Sequence, residues 1–286
     1  MATTTDPAVD WDADLRVYEP HKAGLPKLRP YFRDLFGRLQ FAAEFSKSTI
    51  RAAHSQTMFG QLWLVLNPLL LAVVYYILVS ILSHRGGIGY LTHIVGGLFV
   101  FNLISGSITA GAGSVTSAGR LILNMPFPRL LMPMAAVRTS FFRFLPTLPV
   151  YLVIKAFSDT PWKPSMVLGV YFLGMMVLFS IGAAAVMATL TVYFRDTSSF
   201  LPFFVRIWLY LSPVLWTLDD APQRFEKLMM YGNPLYSLIG GWTELTLQGV
   251  VPPPVVWITA TVWAVVALVV GAFFFMSRER DFAVRI

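Results

Sequence analysis

Three arginines, Arg138, Arg143 and Arg206, interrupt apolar runs of this 286-residue chain and are its best candidates for binding chemistry. A guanidinium inside a membrane-spanning helix is costly, and it faces a partner, a cavity or lipid headgroups. Its planar fork pairs bidentately with phosphate, which an ammonium does not do. No Asp or Glu lies in the cores of the apolar runs, so anionic lipid phosphate is a fitting counter-ion. The alternative is that these side chains snorkel to ordinary headgroups and mark no site.

Other chemistries are excluded by what the sequence lacks. There is no G-x-x-x-x-G-K-[ST] and so no phosphate-cradling loop for ATP. There is no H-E-x-x-H, and His21, His54, His84 and His93 have no metal-ligand spacing, so no metal is expected. Cysteine is absent, which removes disulfides, Cys metal sites and a thiol nucleophile. A proton- or sodium-coupled carrier usually needs an intramembrane carboxylate. A membrane hydrolase or glycosyltransferase needs an acid or a nucleophile–base pair. Neither is present, so energy must come from a partner. The formal net charge of +7 sits between and beside apolar runs. That is the membrane pattern, and no nucleic-acid partner is expected.

The elements that must position these residues are helices in a bilayer. Hydrophobic residues make up 56% of the chain and charged residues 13%, against about 25% charged in soluble domains. The first long apolar run begins near Leu62, too late for a cleavable signal peptide, so insertion is expected through the mature helices. Residues 1–30 mix acids, bases and prolines without an apolar period and read as a cytoplasmic tail. Within 31–60, Phe32, Leu35, Phe36, Leu39, Ala43 and Ile50 share one helical face with cations elsewhere. That predicts an amphipathic helix lying in the headgroup plane.

Residues 61–286 are expected to form the transmembrane domain. Spans are expected near Leu62–Leu82, Leu91–Gly111, Met132–Ala156, Met166–Phe194, Phe200–Leu218 and Val255–Met276, each able to cross a core of about 30 Å. The shorter apolar stretch Leu228–Gly249 is broken at Gly232-Asn233-Pro234. It predicts a re-entrant hairpin with Asn233 as N-cap and Pro234 at the first helical position. Lys and Arg concentrate before the first span and at Arg120, Arg129, Arg195, Arg278, Arg280 and Arg285, while the other side holds Arg85, Lys155, Lys163, Arg224 and Lys227. Both termini are therefore expected in the cytoplasm. The fold class that follows is all-α: a polytopic membrane protein of six transmembrane helices, with an N-terminal interface helix and an extracellular re-entrant hairpin. No internal repeat supports a pseudo-symmetric secondary transporter.

Five short motifs occur in order around these spans. They are Thr57-Met58-Phe59-Gly60-Gln61-Leu62-Trp63-Leu64-Val65-Leu66-Asn67-Pro68, Met125-Pro126-Phe127-Pro128-Arg129, Tyr193-Phe194-Arg195-Asp196, Leu211-Ser212-Pro213-Val214-Leu215-Trp216 and Asn233-Pro234-Leu235. Together they resemble the landmarks of ABC-2 type polysaccharide export permeases, the Wzm-like branch serving O-antigen, teichoic acid and galactan chains. The likeness covers nearly everything after residue 31. It implies an ATP-driven exporter of a lipid-linked, polyprenyl-diphosphate glycan in the bacterial plasma membrane. It further implies a homodimer bound to two copies of a separate ATPase subunit, which would hold ATP and Mg. No cofactor is then expected in this chain, and it is a permease rather than an enzyme.

Roles for further residues follow. Arg138, Arg143 and Arg206 are read as a site for the substrate diphosphate or for lipid headgroups. The internal loop from Gly119 to Pro133, with Arg120, Asn124, Phe127 and Arg129, is expected to couple to the ATPase. Phe41 and Phe45, opposite the main apolar face of the interface helix, are left for the same partner. Tyr75, Tyr76, Phe99, Phe101, Trp208, Tyr210 and Trp216 lie within spans, where aromatic faces stack on sugar rings; the alternative is lipid-contacting belts. Arg195 and Asp196 are expected to form a structural ion pair. Two rival readings stand: a drug or small-lipid exporter of the same family, and a membrane enzyme of lipid-linked sugar metabolism.

Overall fold

The computed structural model describes residues 24–53, 58–83, 86–217 and 223–285. Most of the expected tail, together with His21, His54, His84, Arg85 and Thr57, lies outside the described residues. The described chain is built of helices: α1 (Leu28–Gly37), α2 (Leu39–Ala53), α3 (Trp63–Ser83), α4 (Ile88–Ser117), α5 (Gly119–Asn124), α6 (Leu131–Phe144), α7 (Thr147–Ala156), α8 (Gly169–Tyr193), α9 (Thr197–Tyr210), α10 (Gln223–Gly232), α11 (Pro234–Thr243), α12 (Pro254–Arg278) and α13 (Phe282–Arg285). Among the described residues, four stretches are long and apolar enough to cross a membrane: Gly60–Leu82, Ile88–Ser117, Pro164–Tyr193 and Pro254–Arg285. The protein is an all-α, multi-pass membrane protein.

The other two expected spans are built from shorter pieces. Leu145-Pro146 divides the third into α6 and α7, because proline cannot donate the i→i−4 hydrogen bond and its ring crowds the preceding turn. The fifth is the 14-residue α9, with Pro202 inside it. The interface helix also differs from expectation. It breaks at Arg38 (φ −109°, ψ 15°) into α1 and α2, just after Gly37, a weak helix former. Of the expected apolar face only Leu35 is fully buried. Tyr31, Leu35, Ala42 and Ser46 are buried while Phe36 is exposed. Ala42 and Ser46 let α2 lie close against α6, where Thr139 Oγ1 bonds Ser46 Oγ at 3.0 Å. Small residues at such crossings allow close backbone approach.

Helix α4 is the core of the bundle, packed by α3, α6, α8 and α9. Of its apolar window 78% is buried, against 6% for α3, so α3 leans on the bundle rather than joining it. The tightest crossing is α8 on α12. A Cβ on Gly182 would lie 2.0 Å from the Ala267 carbonyl oxygen, which only glycine avoids. The segment after α10 turns back into the bundle as expected. Asn233 caps α11, accepting the Leu235 N–H at 3.1 Å, with Pro234 at the first helical position. All ten residues of α11 are buried, between α4, α8 and α12.

The bundle therefore has two distinct ends. One gathers α10–α11, the end of α9 and Lys155. Although the charge count puts Lys155 in an external segment, it is fully buried. Its Nζ donates to the Leu247 carbonyl at 2.7 Å, to Thr160 Oγ1 at 3.1 Å and to the Pro161 carbonyl at 3.3 Å. An ammonium has three donors, and all are used, so the cation serves as a clamp on the hairpin. The opposite end gathers α1, the 125–130 loop and the last turns of the chain.

Candidate functional site

At that second end three distant stretches of chain close on one another. The Tyr31 hydroxyl on α1 donates to Glu279 Oε2 at 2.7 Å, and both residues are buried. From the loop, Arg129 Nη1 donates to the Glu279 backbone carbonyl. Arg38 Nη1 donates to the Pro126 carbonyl at 3.1 Å while its Nε pairs with Asp34 at 2.7 Å. Phe41 packs on Phe127 with ring centroids 5.4 Å apart. Burial, with the Glu279 carboxyl beside it, pushes the Tyr31 phenol above its ordinary value. Burial lowers Arg129, and Glu279 and Tyr31 oppose that shift. These contacts wall a groove of about 910 Å³ whose lining includes Lys27, Arg33, Arg38, Phe127, Glu279 and Arg280.

Of the residues expected to couple to an ATPase, the structure brings Phe41, Phe127 and Arg129 into this assembly. Phe45 stacks on Phe41 at 6.3 Å and stays 38% exposed. Arg120 and Asn124 are exposed on α5, and the Asn124 amide donates to the Arg120 carbonyl at 2.7 Å, inside the short helix. Sequence reasoning missed Glu279, whose partner Tyr31 lies 248 positions away. The only signal was an acid at the foot of an otherwise clean span.

The arginines are not gathered into one site. Arg138 is exposed over the Phe142 ring at 4.7 Å and lines a cavity of about 270 Å³ with Lys47, Arg51 and Gln61. Arg143 lines a different cavity, of about 440 Å³, between α3, α4 and the α6–α7 break. Five residues turn a helix by about 140°, so these neighbours on α6 point to different sides. Arg206 is exposed on α9, outside the lining of both cavities.

The aromatics also divide. Phe99 and Phe101 are buried in the core, and Phe99 reaches the Arg143 cavity. Trp208 Nε1 donates to Asn233 Oδ1 at 2.9 Å, tying α9 to the hairpin. The Tyr76 hydroxyl accepts the Gly87 N–H at 2.9 Å. Tyr75 and Tyr210 meet edge to face at 6.3 Å, and Trp216 Nε1 donates to the Tyr210 carbonyl at 3.1 Å. These last three form a partly exposed strip joining α3 to the end of α9.

The expected Arg195–Asp196 pair does not form. Adjacent residues at a helix start point apart. The Asp196 carbonyl instead accepts the Ser199 and Phe200 N–H groups, while Arg195 faces a small cavity shared with Arg285, Thr116 and Ser198. His93, the one described histidine, sits 3.1 Å from the Trp216 carbonyl, and no metal-ligand cluster occurs among the described residues.

The chain is 30% identical to the O-antigen export system permease protein RfbA of Klebsiella pneumoniae over 202 residues, covering 70% of this chain and 77% of that protein. A second Klebsiella pneumoniae protein of that name is 28% identical over 202 residues, or 70% of this chain and 78% of its own. The protein of the same name from Myxococcus xanthus is 24% identical over 253 residues, covering 88% of this chain and 97% of its own. No protein-family model matches the chain.

Proposed function

The chain belongs to the O-antigen export permeases, and from that premise we propose how it works: as a homodimer, bound to two separate ATPase subunits that hold ATP and Mg. The chain itself is a transmembrane permease subunit that exports polysaccharide. The finer reading is that the cargo is a polyprenyl-diphosphate-linked glycan, moved across the bacterial plasma membrane. On this reading each protomer has six spans, with α6–α7 and α9 as the third and fifth; an even number leaves both termini on one side, and the Lys and Arg excess of the segments there supports the cytoplasm.

One observation carries the coupling scheme. The α1–α2 unit, the 125–130 loop and Glu279 converge on one groove, and Phe45, Arg120 and Asn124 remain on the surface beside the elements that build it. A partner pushing on the loop would therefore move α1 and the foot of α12 together. Because no carboxylate lies in the apolar cores of the spans to load a coupling ion, force from an ATPase at this groove is the fitting energy source. The partly exposed Tyr75, Tyr210 and Trp216 offer stacking faces to sugar rings.

Depletion of the chain in cells tests the reading. A lipid-linked glycan should accumulate inside while surface glycan falls, and restoring the chain should reverse both. Normal surface glycan in depleted cells refutes export by this chain.

A further inference from the structure

Arg143 is half-buried in α6, and no acidic side chain of the described residues pairs with it. Its Nε is buried and makes no hydrogen bond. A buried donor without a partner is disfavoured, and a ligand in the adjoining cavity would supply the acceptor that this nitrogen lacks. No acidic side chain lines its cavity. No Asp or Glu lies in the apolar cores of the spans, and a second copy of the same chain brings none either. Snorkelling explains Arg138, which is exposed and level with Ser46 and Lys47 of the interface helix. Arg143 lies five residues further along α6, about 7.5 Å deeper at 1.5 Å per residue, and its Nε is enclosed.

The space around it is built for an oxyanion. The cavity of about 440 Å³ carries Asn67, Asn102, Ser140 and Thr147 as well as Arg143, within apolar walls from Trp63, Leu71 and Phe99. The break before Pro146 makes Arg143 part of the last turn of α6. The outer wall is α3, the least buried span, so a lipid has a lateral way in between α3 and the bundle. We propose that this cavity binds the phosphate of an anionic lipid headgroup, with the Arg143 fork on the phosphate and the amides and hydroxyls on its remaining oxygens. Naming the cargo's diphosphate as that headgroup rests on the export reading; the phosphate site does not.

The test uses the full chain in nanodiscs of phosphatidylcholine, with an environment-sensitive fluorophore at Leu71→Cys, the one thiol in a chain without native cysteine. Farnesyl diphosphate should bind saturably, and farnesol, which lacks phosphate, at least about tenfold more weakly. Arg143→Gln should weaken the diphosphate about tenfold or more, and Arg143→Lys several-fold, because Lys keeps the charge and loses the fork. Asn102→Asp is the second variant: it puts a carboxylate into the lining of the same cavity at nearly unchanged side-chain volume, so diphosphate binding should be lost in protein that stays monodisperse. Phosphatidylglycerol that competes in an Arg143-dependent way assigns the site to a leaflet lipid; failure to compete assigns it to the diphosphate. Diphosphate binding that survives both Arg143→Gln and Asn102→Asp, or matches that of farnesol, overturns the site. If the wild type binds neither probe while depletion still abolishes export, the site falls and the export reading stands. If depletion leaves export intact, the export reading falls whatever the probes do.

Discussion

Replacing Tyr31 by Phe removes one oxygen from the latch that holds α1 to the foot of α12. Tyr31 is 8% exposed and Glu279 7%, and their hydrogen bond is 2.7 Å long, so water replaces the lost donor poorly. At about pH 9, where the Glu279 carboxyl is ionised, a hydrogen bond to it contributes about 1.5–3 kcal/mol. Since about 1.4 kcal/mol is tenfold, Tyr31→Phe should raise local opening of α1 by roughly 10- to 150-fold. Helix α1 is a ten-residue element with only Tyr31 and Leu35 buried, so the effect falls on that unit before the bundle. Hydrogen exchange measured by mass spectrometry on the chain in nanodiscs reads it directly. Amides of α1 should exchange faster while those of α4 stay unchanged. In an Glu279→Gln background the same substitution should cost only about 0.5–1.5 kcal/mol, the range for a neutral pair. The reasoning is refuted if Tyr31→Phe leaves α1 exchange unchanged, or if its effect is the same with and without the Glu279 charge.

Four further outcomes follow from the same geometry. Gly182→Val should cost at least about 1–3 kcal/mol and lower the yield of monodisperse protein, since its Cβ meets the Ala267 backbone at 2.0 Å. Asn233→Ala should lower the melting temperature by more than an ordinary cap worth about 1 kcal/mol, because Trp208 and the Leu211 carbonyl lose their partner too; Asn233→Asp should restore part of the loss by keeping the acceptor. Cysteines at Phe45 and Arg120 should cross-link to cysteines in the ATPase, and failure of both in an intact complex would move the docking surface elsewhere. The purified chain alone should release no phosphate from ATP, a reading that any turnover free of the ATPase subunit would overturn.

Helix class, multi-pass character and the hairpin cap were legible in the sequence because their causes are local. Long uncharged runs can only satisfy their backbone groups in a bilayer as helices, and an Asn-Pro step starts a helix through its own side chain and ring. The family was legible for the same reason, since its motifs are short and contiguous. The two pieces of the interface helix, the enclosure of Lys155 and the separation of Arg138 from Arg143 were not read. The first turns on one glycine and on small residues that matter only once α6 lies opposite them. The second depends on the Leu247 carbonyl, 92 positions away. The Tyr31–Glu279 latch joins the two ends of the chain, and no local pattern marks it. Composition and periodicity determined which segments enter the membrane; only tertiary packing decided which charges inside it are answered, because a counter-charge or its absence is a property of neighbours brought together from distant sequence.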